Sequence, residues 1–407
     1  MSTPRVQSET DVLQTVIVHY PDDGIEVVTP GNALEYLYDD IVYLPRMRQE
    51  HERFTRVLER FTGPGGVLDT ATLFSEVLRD SGEDLRDGIL DAIDQYEVFS
   101  DELYERMKTM SADDLAYTLF TGIWKDTGEV VLPPLPNYVF TRDIAVVIHD
   151  HVVICQPSKK ARTRESIITR AIILNHPLFA EARANGRIID MTIEDKDATL
   201  EGGDVMLVHP DHLLVGCSER STPQAFDMIK DRLHERGVVE NVVRVVIPKA
   251  RSSMHIDTLF TFVDRDTVVI YEETLESEMI KVTRFHADGT RTEYPNLRSY
   301  FEAIDPTMTF ILCGGGQYPF DQREQWTDGC NLVAVRPGVA IAYGRNKKTS
   351  EALQAAGFEI IHSRDFVDAD IDPASLRKTI IELTSSELSR ARGGPHCMTF
   401  PIARQTI

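Results

Sequence analysis

Four polar fragments, far apart in a chain of 407 residues, carry the side chains that do nucleophilic and proton-transfer chemistry. They are Phe140-Thr141-Arg142-Asp143, Glu201-Gly202-Gly203-Asp204, Met254-His255-Ile256-Asp257-Thr258 and Arg392-Gly393-Gly394-Pro395-His396-Cys397-Met398. One Cys with His and carboxylates elsewhere in the sequence is the pattern of a nucleophile assembled by the fold. The glycines and proline before Cys397 predict a tight, exposed turn that presents the thiol and does not pack it. If Met254–Thr258 is extended, His255 and Asp257 share one face and Ile256 takes the other. One group would then transfer protons while the other binds charge. Read singly, each fragment has a plainer meaning. His255 also fits a hydrogen-bonded residue at a strand start, Glu201–Asp204 a polar turn, and Arg142-Asp143 a surface pair.

Taken together, the groups select a substrate. A protease of the Cys–His type builds a negative oxyanion and needs hydrogen-bond donors around it. Three or four carboxylates would oppose that chemistry, but they suit a permanent cation. A guanidinium is planar, offers five N–H donors and stays protonated, and paired carboxylates match it. Its central carbon is the electrophile, and its charge favours the thiolate of Cys397. His255 can protonate the leaving nitrogen and then deprotonate water. This chemistry requires no metal.

The elements that must position these groups repeat. From about residue 140, an acidic or amide residue opens an apolar strand, a short polar turn follows, and a second apolar strand returns. Asp143 opens Ile144–Ile148, which returns as Val152–Cys155. Asp204 opens Val205–Val208, followed by Leu213–Cys217. Asp257 opens Thr258–Val263, followed by Thr267–Tyr271, and Asn331 opens Leu332–Val335, followed by Val339–Tyr343. Thr15–His19 and Ile25–Val28, flanking Pro21–Gly24, read as a looser fifth hairpin. Apolar spacing predicts helices over Arg164–Leu174, Pro223–Glu235 and Ser350–Ala356. Five such units suggest a ring in which each buries one face on its neighbours. Equivalent points then meet at one end, and Asp143, Asp204, Asp257 and Asn331 occupy the equivalent point. Residues 70–127 differ: Thr70–Arg79, Leu85–Val98, Leu103–Met110 and Ala112–Leu119 read as helices of an insertion. It ends before the Leu-Pro-Pro-Leu-Pro run, which fits neither regular helix nor central strand. Arg46–Phe61 is amphipathic and reads as the first unit's own helix.

Composition narrows the class. The net charge of −22 argues against nucleic acid or an anionic membrane surface as a partner. The five cysteines are odd in number and widely spaced, with no Cys-x-x-Cys, which disfavours a disulfide framework and a zinc site. The first residues lack an apolar leader and no run is long enough to span a bilayer. The expected protein is soluble and cytoplasmic, and it needs no metal or cofactor.

The four fragments resemble the signature set of the arginine deiminase family. The similarity runs over nearly the whole chain and includes Leu37–Glu50, Arg323–Trp326 and Arg345-Asn346. The resemblance implies an α/β fold: a five-bladed pseudo-symmetric α/β-propeller of the guanidino-group-modifying (pentein) superfamily. Residues 1–69 and 128–407 would form the propeller and 70–127 a helical insertion. It implies hydrolysis of L-arginine to L-citrulline and ammonia, through an amidino group carried on Cys397. His255 would be general acid and then general base, Asp143 and Asp257 would hold the guanidinium, and Glu201 would support His255. Asp204 would be a further site carboxylate. Arg162 and Arg220 match binders of the substrate α-carboxylate, Asn137 and Phe140 match pocket positions, and Arg392 matches a mobile loop arginine. Without the resemblance, these arginines read as solvated surface residues. Members of the family are often dimers or higher assemblies, so a homo-oligomer is expected, and the helical insertion offers a contact surface.

Three positions depart from the family pattern: Gly344 replaces an acidic residue, the Gly314–Phe320 loop is bulky, and Pro395 stiffens the nucleophile loop. The first two motivate an alternative, a related hydrolase or amidinotransferase acting on another guanidino or ureido compound. A non-catalytic arginine-binding protein is a third reading.

Overall fold

Alternating β-branched segments pair wherever turn chemistry bends the chain back. The computed structural model describes residues 3–193, 195–369 and 371–407. Ala145–Ile148 pairs antiparallel with His151–Ile154, Val205–His209 with His212–Cys217, Phe260–Asp264 with Thr267–Ile270, and Val333–Arg336 with Val339–Tyr343. These are the four hairpins expected from the sequence. On its other side, the second strand of each takes a parallel partner: Ile188–Asp190, Asn241–Val246, Thr309–Leu312 and Thr379–Leu383 respectively. Parallel pairing demands a crossover. The helices Thr163–Asn175, Pro223–Glu235, Leu297–Ile304 and Lys347–Ala355 lie in those crossovers. Lys281–His286 and Arg291–Tyr294 extend the second of these sheets, and Glu359–His362 the last.

The fifth sheet corrects the sequence reading. Thr15–His19 and Ile25–Val28 do not form a hairpin. The Asp22 side chain accepts the Gly24 N–H at 2.8 Å and caps a 3-10 turn over Asp23–Val27. The same Pro-Asp-Asp-Gly chemistry serves either a hairpin or a capped turn. Val12–Val18 instead pairs antiparallel with Phe400–Gln405 and parallel with Val67–Asp69. The three-strand pattern therefore recurs with its first strand drawn from the other end of the chain. That strand begins three residues after Cys397, so closing the sheet also fixes the nucleophile loop.

Strand alternation sends the two faces of every sheet into two different cores. Ala145 and Val147 share a core with Ile17, Phe400 and Ile402, while Val146 and Ile148 face Val205 and Leu207. Met206 and Leu214 face Phe260, Phe262 and Val268. Val263 and Val269 face Leu332, Ala340 and Ile380. Val333, Val335 and Ile341 return to Leu13, Val16 and Val18 of the first sheet. Among the described residues, each of five mixed sheets thus shares a core with the next, and the last shares one with the first.

Four helices, Thr70–Asp80, Glu83–Glu97, Asp101–Lys108 and Ala112–Thr121, follow the strand Val67–Asp69. Asp69, Ser100 and Ser111 accept backbone N–H groups at three of their N-termini, satisfying donors that a helix start leaves free. Leu73, Phe74, Leu119 and Phe120 from these helices pack with Tyr138, Ala145 and Ile168. Among the described residues, no helix is long and apolar enough to cross a membrane.

Candidate active site

The residues just before the first strand of each sheet meet at one place. They are Cys397, Asp143, Glu201 with Asp204, His255 with Asp257, and Asn331, one set per sheet. Hydrogen bonds join each set to the next. Arg142 N–H donates to Cys397 O (3.0 Å), Gly202 N–H to Asp143 O (3.1 Å) and Ile256 N–H to Asp204 Oδ1 (3.0 Å). Asn331 Nδ2 donates to Asp257 O (2.9 Å), and Cys397 N–H donates to Asn331 Oδ1 (3.1 Å). The five links close on themselves. The missing fifth member of the sequence pattern is Cys397 itself, hidden because its strand is the chain's last.

Cys397 is 6% exposed and Gly393, Gly394 and Pro395 are buried, so the loop is packed and the expectation of an exposed turn fails. The glycines serve close approach: a Cβ on Gly393 would run into the Phe140 ring, and one on Gly394 would lie 2.6 Å from Asn331 Oδ1. The Cys397 sulfur lies 3.4 Å from Asp257 Oδ2. Burial, with the carboxylates of Asp257, Asp143 and Asp328, raises the thiol well above its ordinary pKa. At neutral pH the resting sulfur is therefore protonated.

His255 faces the same pocket as Cys397. The Met254–Thr258 segment is not a continuous strand: His255 is extended, but Ile256–Thr258 forms a 3-10 turn. The expected shared face is replaced by a turn that still delivers both side chains. His255 Nε2 hydrogen-bonds Glu201 Oε2 at 2.8 Å, and Nδ1 lies 3.7 Å from Asp143 Oδ1. A Cβ on Gly203 would lie 2.6 Å from His255 Nδ1, which explains the glycine pair between the two carboxylates. Burial disfavours the charged ring, but Asp143, Glu201 and Asp204 overcome it and push its pKa to about 10. For Glu201, burial is outweighed by the His255 hydrogen bond and by Arg162 and Arg220, which hold the carboxylate far down.

Asp143 Oδ1 and Asp257 Oδ1 are buried and have no hydrogen-bond partner among the described residues. Their second oxygens are taken, Asp143 Oδ2 by Arg162 (2.6 Å) and Asp257 Oδ2 by His396 Nδ1 (2.9 Å). Asp143 lines the pocket and Asp257 is fully buried beside Cys397; a buried carboxylate oxygen without a donor is costly unless one arrives. Asp204 stands behind the site. Its oxygens accept from Ser218 Oγ (2.6 Å) and Ile256 N–H, and burial raises its pKa to about 6.

Asn137, Phe140, Asp143, Arg162, Arg220, His255, Arg392 and Cys397 line one narrow pocket. Arg162, Arg220 and Arg392 are 3%, 3% and 8% exposed, so the reading as surface residues is excluded. Arg162 is bound to Asp143, Glu165 (2.8 Å) and, at 3.5 Å, Glu201. Arg220 Nη1 lies 3.6 Å from Glu201 Oε2. Arg392 has φ 64°, stacks 3.4 Å over Trp326, and leaves Nε and Nη1 without hydrogen-bond partners among the described residues. Asp143, Glu201 and His255 also have metal-ligand character, with donor atoms within 4.8 Å of one another, but Arg162, Arg220 and the His255 ring already pair with the two carboxylates.

Several residues in and around the pocket were given no site role from the sequence, and Arg142, read there as half of a surface pair, is buried. Leu37 and Arg251 also line the pocket; Arg251 donates to Leu37 O (2.6 Å) and pairs with Asp39 (3.0 Å). His396 joins Asp257 to Glu9 (3.2 Å), and Arg142 pairs with Glu9 (3.4 Å). Glu9 carried no signal in sequence, whereas His396 was visible as the neighbour of the nucleophile. Gly344 and the 314–320 loop lie outside this pocket. A Cβ on Gly344 would lie 2.9 Å from Glu382 Oε2, so Glu382 occupies the space an acidic residue at 344 would use.

The family model described as arginine deiminase matches residues 35–404. An arginine deiminase of Rhodococcus erythropolis is 31% identical over 424 residues, covering 99% of this chain and 98% of the relative. One of Mycobacterium tuberculosis is 32% identical over 426 residues, covering 98% of each. Among solved structures, the amidinotransferase SxtG from Microseira wollei superposes with TM-score 0.56 at 13% identity, covering 100% of this chain and 98% of its own. A cysteine-to-serine variant of dimethylarginine dimethylaminohydrolase from Pseudomonas aeruginosa, complexed with citrulline, gives 0.52 at 14%, covering 96% and 99%. These structures share the α/β fold with mixed sheets.

Proposed function

The chain belongs to the arginine deiminase family, and from that premise we propose that it hydrolyses L-arginine to L-citrulline and ammonia with Cys397 as nucleophile. The observation that carries this is the pair of unpartnered buried oxygens, Asp143 Oδ1 and Asp257 Oδ1, beside a buried thiol and a protonated imidazole. A guanidinium supplies the N–H donors and the charge that this arrangement lacks.

The steps follow from the protonation states. Binding brings a positive charge beside Cys397 and lowers its thiol pKa, so the thiol proton passes to solvent as the substrate enters. Sulfur attacks the guanidinium carbon and forms the C–S bond. His255, protonated at rest, gives its proton to the departing nitrogen as that C–N bond breaks, and ammonia leaves. The neutral ring then takes a proton from water, whose oxygen attacks the same carbon; the C–S bond breaks, the remaining hydroxyl proton passes to the departing sulfur, and citrulline leaves with the thiol and the protonated ring restored. Asp143 and Asp257 hold the guanidinium, Glu201 orients His255, and Asp204 acts from behind through Ser218 and Ile256. Arg220, Arg392 and Asn137 face the α-carboxylate and amine end of the substrate, with Phe140 against the chain. Arg162 serves first as the counter-charge of Asp143 and Glu201.

We also propose that the five sheets are blades of a five-bladed propeller, with residues 70–127 inserted; the cyclic succession of cores supports this. Copies associate, through those helices, into a dimer or larger assembly, which light scattering tests. Five unpaired cysteines suit a reducing cytoplasm.

The test is release of citrulline and ammonia from L-arginine in equal amounts, lost in Cys397→Ala. Equal turnover by both proteins would remove the assigned nucleophile. Faster turnover of another guanidino or ureido compound in a substrate panel would favour the alternative.

A further inference from the structure

We propose that Asn331 is a positioning residue for this reaction: its carboxamide sets the spacing between the Cys397 sulfur and the guanidinium-binding carboxylate of Asp257. The inference rests on the deiminase reading above. Asn331 is fully buried. Its Oδ1 accepts the Cys397 N–H and its Nδ2 donates to the Asp257 carbonyl, at 3.1 and 2.9 Å. Two of the five links that join the sheets at the site therefore run through this one side chain. Of the other three, two are bonds between peptide groups and one is made by Asp204.

The side chain is suited to the task because a carboxamide carries an acceptor and a donor at the two ends of one rigid plane. Its neighbours leave it little room to swing. Asn331 N–H donates to Asp328 O (3.1 Å), and His396 N–H donates to Asn331 O (3.4 Å). Leu332 N–H donates to Thr261 Oγ1 (3.0 Å), which itself donates to Cys330 O (2.7 Å). Peptide groups on both sides of Asn331 are thus pinned to the neighbouring sheet. Gly394 lacks the Cβ that would press on Oδ1, so the nucleophile loop can close onto the carboxamide.

Cutting this bridge frees sulfur and carboxylate to move apart while Asn137, Phe140 and Arg220 still line the pocket. The rate falls and the apparent affinity holds, because a displacement near 1 Å costs about 10²-fold in rate. For Asn331→Ala we expect kcat to drop about 100-fold with KM within about 3-fold of the parent. Asn331→Asp keeps the shape and the acceptor, but sets an oxygen against the Asp257 carbonyl and a charge beside the thiol. Its kcat should fall at least about 10-fold, and the pH curve of Cys397 alkylation by iodoacetamide should move to higher pH. Thermal unfolding followed by circular dichroism establishes that each variant is folded; if Asn331→Ala is not, Asn331→Asp decides. A folded variant with kcat within about 3-fold of the parent, or a raised KM with unchanged kcat, overturns the inference. An unshifted alkylation curve for Asn331→Asp does the same without any substrate. A parent protein that releases no citrulline defeats the deiminase reading instead, and the two failures are told apart.

Discussion

Neutralising Glu201 should move the basic limb of the pH–rate profile downward. His255 titrates at about 10 where an ordinary imidazole titrates at 6.5, a preference for the protonated ring of roughly 5 kcal/mol at 1.36 kcal/mol per pH unit. Burial opposes that preference, and Asp143, Glu201 and Asp204 create it. Glu201 is the carboxylate in hydrogen-bond contact, at 2.8 Å. Its replacement by Gln keeps the shape and removes the charge, so His255 should titrate about 1 to 2 pH units lower. The active form carries the proton that goes to the leaving nitrogen. Activity therefore persists below the folded pKa and is lost as pH rises through it, near 10 in the parent and about 8 to 9 in Glu201→Gln. The assay is kcat/KM for citrulline release from about pH 6 to pH 11. Inactivation by iodoacetamide is followed in parallel, because thiol ionisation rises over the same range and must be separated. A basic limb that stays put, or moves up, would refute the assignment of His255 as the general acid.

Other consequences are equally specific. Replacing Arg220 by Gln should raise KM for L-arginine about 10- to 100-fold, the worth of one charge-assisted contact, and change little for the decarboxylated amine of arginine; steady-state comparison of the two substrates checks it. Asp39→Asn removes the ion pair that helps hold Arg251 to the segment carrying Leu37, and leaves the bond from Arg251 to the Leu37 carbonyl in place. Both partners are partly exposed, so the loss should be near 1 kcal/mol and appear as a several-fold higher KM that added salt mimics in the parent. Glu9 is depressed to about 2: burial is outweighed by Arg142 and His396. Its stabilising contribution, about 3 kcal/mol, is complete above pH 4.5 and lost as pH falls toward 2. Glu9→Gln should flatten that acid loss in denaturant melts taken at successive pH values.

Local chemistry made much of this legible before any coordinates. The helix Pro223–Glu235 announced itself through apolar spacing, and the four internal hairpins through their turns. Asp143, Glu201, His255 and Asp257 were visible as polar groups at strand starts. What was not legible depends on partners distant in sequence. Nothing local in Val12–Val18 says that it pairs with Phe400–Gln405, and so nothing placed Cys397 in register with the other strand starts. The burial of Arg162 and Arg220 likewise depends on carboxylates brought from other segments, and by type alone an arginine belongs to the surface. Asn331 was noticed only as a strand opener, because its two bonds reach residues 66 and 74 positions away.

The most direct test looks at the sulfur. The protein mixed with L-arginine, quenched in acid within the first turnovers and mapped by peptide mass should carry the substrate less ammonia on Cys397 and on none of the other four cysteines. Citrulline accumulating with an unmodified Cys397, or an adduct retained in Cys397→Ala, would contradict covalent catalysis at this residue.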